Sequence, residues 1–304
     1  MRILILFSAI FLFASCEKEV EIDIPRSPQR LVVNAILMPS SNVEVNVSLT
    51  KHVYDTAEVI VSNAEVLLYC EEQFLSKLEH TKDGYYSKDG IMPTVGKTYS
   101  ISVNVEGYNT ATASTTVPHV ISLDSLVVSQ NAVTDKNAMS TIDLFFNKNT
   151  EKENYYNYLI EVRPEVIYDT IVDTFNDTTL ISKRPSGSTG IVCYHPAILK
   201  EGDEKTKFFS DKWVDDKQIN LRIFYGISLM PYSKPVDYDV KAQIVAFSEE
   251  YYLFHKSFEN YDDKHEQILG DNNLPRLYSN VNNGLGCFSS ISYSNVLTQK
   301  IEAE

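Results

Sequence analysis

The sequence predicts a mainly β protein, with one β domain at the N-terminal end and a larger β-rich domain after it. Apolar and polar residues alternate strictly at Val43–Leu49 and Tyr99–Val105, which places one face of a strand on a core and the other in water. Turn-forming residues separate these runs at short intervals, as at Lys82–Gly84. One stretch near residues 248–268 has helical spacing instead, so a single long helix is expected.

The first residues of the chain have the pattern of a bacterial lipoprotein signal. Arg2 precedes the apolar run Ile3–Phe13, which is too short to cross a membrane because a spanning helix needs roughly 20 apolar residues. Small residues then lead directly to Cys16. We therefore expect residues 1–15 to be removed and Cys16 to be acylated, which anchors the protein by lipid. A plain secretory signal, with the cysteine nearby by chance, is the alternative.

Residues 16–29 form a predicted acidic tether that contains proline and lacks an amphipathic period. The acidic residues directly after Cys16 resemble the export signal that sends Bacteroidota lipoproteins to the outer face of the outer membrane. This resemblance implies a cell-surface location, and the periplasmic face of the same membrane is the alternative.

The charge of the chain limits the classes of partner. Removal of residues 1–15 takes away Arg2 alone, which leaves 26 basic against 41 acidic residues and a net charge of −15. Such a surface repels nucleic acid and anionic lipid head groups and favours basic or cationic ligands. We therefore expect no nucleic-acid partner.

Residues 30–118 are predicted to form an immunoglobulin-like or transthyretin-like sandwich of about seven short strands. Gly96–Val103, followed by Gly107, resembles the closing strands of the carboxypeptidase-regulatory type of sandwich. Pro118 cannot donate to a ladder, so a strand and the domain should end there. A fragment of about 90 residues with its own alternating strands is expected to fold alone.

Residues 119–304 form the predicted second domain, for which a fibronectin-like fold is one option. Strands are expected at Ile121–Ser129, Ser140–Phe146, Tyr155–Val162 and Asp239–Phe247. Between them, residues 168–216 are predicted to be an insertion that carries a recognition surface.

The helix near residues 248–268 begins with a capping residue, Ser248, and two acidic residues suited to a first turn. Its apolar positions recur every three or four residues and predict a stripe that packs on a sheet. Aromatic residues in that stripe leave a ligand shelf as the alternative. The stripe consists of Tyr251, Phe254, Phe258, Tyr261, His265 and Ile268.

Three cysteines are left after Cys16. Cys70 continues an alternating strand and is predicted to be a core residue. Cys193 and Cys287 could form a disulfide in an oxidising compartment, which the sequence does not decide. Their spacing does not match a zinc site, so we predict no metal and no cofactor.

The sequence contains no recognisable catalytic motif, and we assign no catalytic residue. Asp169, Asp173 and Asp177 are spaced by four, which would place three carboxylates on one face of an extended chain. They are the candidate ligand-binding residues, for Ca²⁺ or a cationic ligand. The alternative is a solvent-exposed edge strand whose charged side chains prevent pairing with another chain. Carboxylates could also act in glycoside hydrolysis, which needs two of them about 5 to 10 Å apart. The sequence does not single out two acidic residues for this role.

Several framework motifs carry a family resemblance. Asn280–Phe288, together with Ser248–Tyr251 and Pro118, resembles the Bacteroidota lipoprotein family catalogued as domain of unknown function 4249. Cys287 stands where the family is expected to have tyrosine. The resemblance implies an accessory, ligand-binding partner of a TonB-dependent nutrient transporter. A cell-surface hydrolase (glycosidase or peptidase) and a structural or adhesion module are the alternatives, and the ligand is not identified.

Overall fold

The structure, a computed structural model, describes residues 26–52, 54–57, 59–129, 140–149, 152–164, 168–173, 178–183, 189–193, 195–201, 208–227, 237–265 and 276–302. Strands dominate these residues and one helix is long, so the predicted mainly β fold class is confirmed. None of the helices within these ranges has the length and hydropathy needed to cross a membrane.

Among the described residues before Pro118 there are eight strands, and the alternating runs predicted from sequence correspond to β2 and β7. Their bounds are β1 Leu31–Leu37, β2 Glu44–Leu49, β3 Val59–Ile60, β4 Glu65–Cys70, β5 Gln73–His80, β6 Tyr85–Ser87, β7 Thr98–Asn104 and β8 Ala111–Thr116.

The later strands include the four predicted ones, which are β9, β10, β11 and β17. Their bounds are β9 Leu123–Ser129, β10 Ser140–Asn147, β11 Tyr155–Pro164, β12 Tyr168–Asp173, β13 Thr178–Lys183, β14 Thr189–Cys193, β15 Phe209–Ser210, β16 Gln218–Ile227, β17 Tyr238–Phe247, β18 Phe288–Tyr293 and β19 Leu297–Ile301. The helices are α1, Pro196–Glu201, and α2, Glu249–His265.

One continuous sheet links both halves of the chain, in the order β15-β11-β17-β18-β1-β2-β6-β5-β4-β7-β8, with β19 beside β17 and β3 beside β2. The link is the parallel pairing of β1 with β18, which sets Ala35 opposite Phe288. A second sheet has the order β14-β16-β10-β9, and β12 pairs with β13 as a separate hairpin.

The first core contains residues from the far end of the chain. Val281 and Phe288 are buried among the side chains of β1 to β8. Their segment also bridges the two ends of this strand series, because Leu285 pairs with Val32 of β1 and Asn282 pairs with Thr112 of β8. Thus residues 281–288 belong to the first core by packing. The domain boundary near residue 118 and the independent folding of residues 30–118 stay predictions, while Val281 and Phe288 add to the first core from outside that range.

The second core lies between the β14-β16-β10-β9 sheet and the β11 and β17 part of the large sheet. Phe146, Tyr156, Tyr225 and Ile244 are among its fully buried residues. In a small third cluster on the other face of β17, Val245 and Phe247 pack against Ile291 and Tyr251. Because Tyr251 belongs to α2, this cluster holds the first turn of that helix on the sheet.

The helix α2 agrees with the prediction at its start but differs along its length. Tyr252, outside the predicted stripe, is buried, whereas Phe258, inside it, is 48% exposed. The difference arises because the first turn contacts two surfaces, the sheet through Tyr251 and the side chain of Tyr155 through Tyr252. Ile268 lies outside the described residues.

Candidate functional site

A cleft of about 320 Å³ opens where the two cores and the start of α2 meet. Its walls are the connector after β8, the loop that leads into β11, and the end of β17 with the first turn of α2. The polar residues that line it include His119, Lys152, Glu153, Asn154, Glu249 and Glu250.

Ser248 fixes the start of α2 at the edge of this cleft. Its Oγ accepts hydrogen bonds from the amides of Tyr251 at 3.4 Å and Ser290 at 3.2 Å. Its own amide donates to the carbonyl of Ser290 at 2.9 Å. The predicted capping role of Ser248 is therefore confirmed, and the same side chain also joins the helix to β18.

The first turn of α2 supplies two carboxylates to the cleft. Glu250 is half-buried, and its Oε2 accepts a hydrogen bond from Thr115 Oγ1 at 2.9 Å. Glu249 is exposed beside it. Carboxylates at this position are stabilised by the unsatisfied amides and partial positive charge of a helix N-terminus. The start of α2 therefore places two carboxylates at the lining of the cleft.

The opposite wall is a loop held by a buried carboxylate. Asp211 is 4% exposed, and its oxygens accept from the backbone amide of Asn154 at 3.0 Å and from its Nδ2 at 2.7 Å. The hydroxyl of Tyr156 donates to the same carboxylate at 3.2 Å. Glu153, next to this anchor, accepts from the hydroxyl of Ser210. These bonds fix the backbone that carries Glu153 into the cleft.

An aromatic pair supports the wall between these carboxylates. The rings of Tyr155 and Tyr252 stack at a centroid distance of 4.4 Å and an angle of 21°, and the Tyr252 hydroxyl donates to Glu201. Burial raises the pKa of both phenols, and nearby glutamates raise it further, Glu249 at Tyr155 and Glu201 at Tyr252. Both phenols are therefore neutral at physiological pH and can donate hydrogen bonds.

The cleft thus brings together three carboxylates, an imidazole and a tyrosine wall. Carboxylates accept hydrogen bonds from ammonium and hydroxyl groups, and the aromatic wall suits a flat apolar face. Within the described ranges, no group of three or more histidine, cysteine, aspartate and glutamate side chains is placed to hold a metal ion.

The aspartates selected from sequence lie elsewhere. Asp169 and Asp173 are four residues apart on β12, opposite Ser182 and Thr178 of β13. Asp177 lies outside the described residues. Their role in ligand binding stays a prediction.

The two cysteines considered for a disulfide are free thiols in the structure. Cys193 lies in the second core and donates to the carbonyl of Arg222 at 3.3 Å. Cys287 instead contacts the carbonyl of Glu250, at 3.6 Å. The two sulfur atoms thus have different partners, one on β16 and one on α2, and burial raises the pKa of each thiol to about 11. Cys70 packs against the first core, as predicted. Cys16 lies outside the described residues.

Sequence reasoning missed Glu153 and Asp211 and assigned Glu249 and Glu250 only to a helix start. The sequence signals available were the polar residues Glu153 and Asn154 directly before the strand that begins at Tyr155, and the N-cap predicted at Ser248. Their proximity depends on the pairing of β11 with β17, which alternation alone does not define.

These features define a two-core β protein with an open polar cleft at the junction of its cores. The chain matches the family described as a domain of unknown function (DUF4249) over residues 17–295. It therefore belongs to that family. A search of curated proteins found no match.

Two solved structures show weak likeness. The first, a protein of Corynebacterium diphtheriae described as membrane anchored, has 15% identity and a TM-score of 0.22, and covers 75% of this chain. This chain covers only 56% of that one. The second, a collagen adhesin from S. aureus, has 9% identity and a TM-score of 0.15, with 90% and 95% of the two chains covered. With TM-scores this low, neither is informative about fold or function.

Proposed function

We propose that this chain is a lipid-anchored binding module of the bacterial cell surface. It holds a small, hydroxyl-rich cationic ligand in the junction cleft and serves a TonB-dependent transporter of the outer membrane. The observation that carries this proposal is the placement of Glu153, Glu249 and Glu250 around one cleft.

Charge supports a cationic ligand over an anionic one. The mature chain has a net charge of −15, and the residues that line the cleft include three carboxylates, the ammonium of Lys152 and the imidazole of His119. The ammonium of Lys212 lies 3.9 Å from Glu153, which leaves the cleft with three carboxylates near two ammonium groups. An acidic cleft with low-dielectric walls concentrates cations and repels anions. Tyr155 provides the neighbouring surface for a sugar ring or a short apolar chain.

The anchor and the partner rest on the sequence. Cys16 follows an apolar segment and small residues, and an acidic tether leads from it to the folded body. Two or three acyl chains on Cys16 would attach the protein stably to the membrane. The transporter partner follows from the family resemblance. Release of a Cys16→Ala variant from washed membranes would support the anchor, and its retention there would contradict it.

Paired probes test the ligand class. We expect the mature chain to bind glucosamine more tightly than glucose in calorimetric titrations, because only glucosamine carries an ammonium group. The double variant Glu153→Gln/Glu249→Gln keeps size and polarity and should weaken glucosamine binding about tenfold or more, since about 1.4 kcal/mol is a factor of ten.

The matched control is Glu44→Gln/Glu106→Gln, which removes the same charge from exposed positions outside the cleft. It should bind glucosamine as the unaltered chain does. Equal loss in both double variants would show a general charge effect, and equal binding of both sugars would contradict the cationic class.

A further inference from the structure

The hairpin of β4 and β5 has an unusual turn. Both central residues have left-handed backbone conformations, Glu71 with φ 51° and Glu72 with φ 67°. Two-residue turns of this type favour asparagine and glycine, because a side chain with a Cβ is strained there. Glu71 uses its carboxylate to accept the amide of Thr98 at 2.7 Å. Strain held at a defined position is a reason to look for function nearby.

A β-bulge follows directly after the turn. Phe74 pairs with Tyr69, whereas Ser76 pairs with Leu68, so Leu75 is the additional residue on β5. As a result two neighbouring apolar side chains face water, Phe74 at 61% and Leu75 at 44% exposure. Bulges re-aim side chains at the edges of sheets.

The same stretch of β5 is an open edge. On one side it pairs with β4, and on the other its register with β6 covers only Glu79 and His80. Within the part of the chain that the structure describes, Gln73–Leu78 therefore has a ladder partner on one side alone. An exposed edge of this kind can accept another strand.

We propose that the β5 edge binds an extended segment of a partner protein in which apolar and basic residues alternate. Backbone pairing would give the register, and Phe74 with Leu75 would contact the apolar residues. Two carboxylates at the ends of this edge, Glu72 and Glu79, make no ion pair within the described ranges, whereas Lys77 is paired with Glu65 at 3.7 Å. The edge therefore complements basic side chains.

Charge also argues against two other occupants. A second copy of this chain would bring a second acidic turn to the same edge, with a net charge of −15 on each copy. An anionic membrane surface would be repelled by Glu71 and Glu72. The β5 edge lies on the first core, so the inference does not depend on the junction cleft.

The test uses the mature chain and a synthetic ten-residue peptide that alternates valine with lysine. We expect binding by calorimetry and slowed amide hydrogen exchange at Gln73–Leu78. The variant Phe74→Ser/Leu75→Ser keeps all charges and should weaken binding about tenfold or more, as loss of central apolar contacts does. Glu72→Gln/Glu79→Gln should weaken it and reduce its salt dependence.

The controls separate this edge from general attraction to an acidic protein. Val127→Ser/Val296→Ser removes two other exposed apolar side chains and should leave peptide binding unchanged. A peptide that alternates valine with glutamate should not bind.

Three results would overturn the proposal. The first is equal peptide affinity in the Phe74→Ser/Leu75→Ser variant, and the second is exchange protection outside β5. The third is that this variant abolishes self-association of the chain or attachment to phosphatidylcholine vesicles, with no effect on the peptide.

Discussion

Two glycines near the C-terminal end of the chain are placed where a side chain cannot fit. Gly284 lies so close to β1 that an added Cβ would be 3.0 Å from the carbonyl oxygen of Leu31. Gly286 has φ +112°, and a Cβ there would be 2.2 Å from the carbonyl oxygen of Val33. The family motif around these residues is therefore explained by close approach of two backbones.

Gly286→Ala should lower the free energy of unfolding by about 3 kcal/mol, because it combines backbone strain with an overpacked contact. Gly107→Ala is the matched control, since Gly107 also has positive φ, +85°, but nothing within 4 Å of its Cβ position. This control should lose only about 1 kcal/mol. Urea unfolding measures both, and equal losses would show that contact with β1 contributes nothing.

At the scale of elements, α1 contacts the first turns of α2, the helix that borders the cleft. His195 lies directly before this helix, and its Nδ1 accepts the amide of Ala197 at 3.2 Å. The last residue of α1, Glu201, accepts the hydroxyl of Tyr252 and lies 3.8 Å from the ammonium of Lys256. The short helix therefore supports the first two turns of α2 through Glu201.

The cap of α1 should make stability depend on pH. Burial lowers the pKa of His195 below its ordinary value, and a protonated Nδ1 cannot accept the amide of Ala197. The unfolded chain therefore binds the proton more readily than the folded chain. The stabilisation is complete above the ordinary pKa of about 6.5 and is lost as pH falls through the lower folded value.

We expect His195→Asn, which keeps an acceptor but does not titrate, to reduce the loss of stability as pH falls below about 6.5. His255, whose pKa burial also lowers, contributes separately, so His195→Asn/His255→Phe should flatten the profile further. Urea unfolding at several pH values measures the slope. An unchanged slope in the single variant would rule out His195 as a contributor.

At the scale of the whole molecule, the two ends of the chain complete one core. Phe288 is fully buried among side chains of the first eight strands, and Arg30 donates to the carbonyl of Gly284 at 2.6 Å. The pairing of β18 with both β1 and β17 makes this segment the joint between the cores. The first core is therefore complete only when the C-terminal part of the chain is present.

A fragment of residues 27–117 should consequently melt without a sharp cooperative transition. A synthetic peptide of residues 278–294, added in trans, should raise its melting temperature, because a ligand of the folded state stabilises that state. The same peptide with Phe288→Ala should be weaker, since loss of a buried phenylalanine costs about 3 to 5 kcal/mol. A sharp melt of the fragment alone would contradict this account.

The local elements of this protein follow from its sequence. Alternation predicts β2, β7 and β17, and Ser248 with the acidic residues after it predicts where α2 begins, because backbone period and capping depend on neighbours along the chain. Composition likewise defines the acidic character of the surface.

The junction cleft and the open edge of β5, in contrast, exist only because of the tertiary structure. Glu153 and Glu250 meet across a cleft because strands nearly a hundred residues apart pair, and the open edge of β5 exists because β6 is short. The parallel pairing of β1 with β18 places Phe288 in the first core. Sequence periodicity reports which face of a strand is buried, whereas the choice of partner depends on long-range packing that the local pattern does not encode.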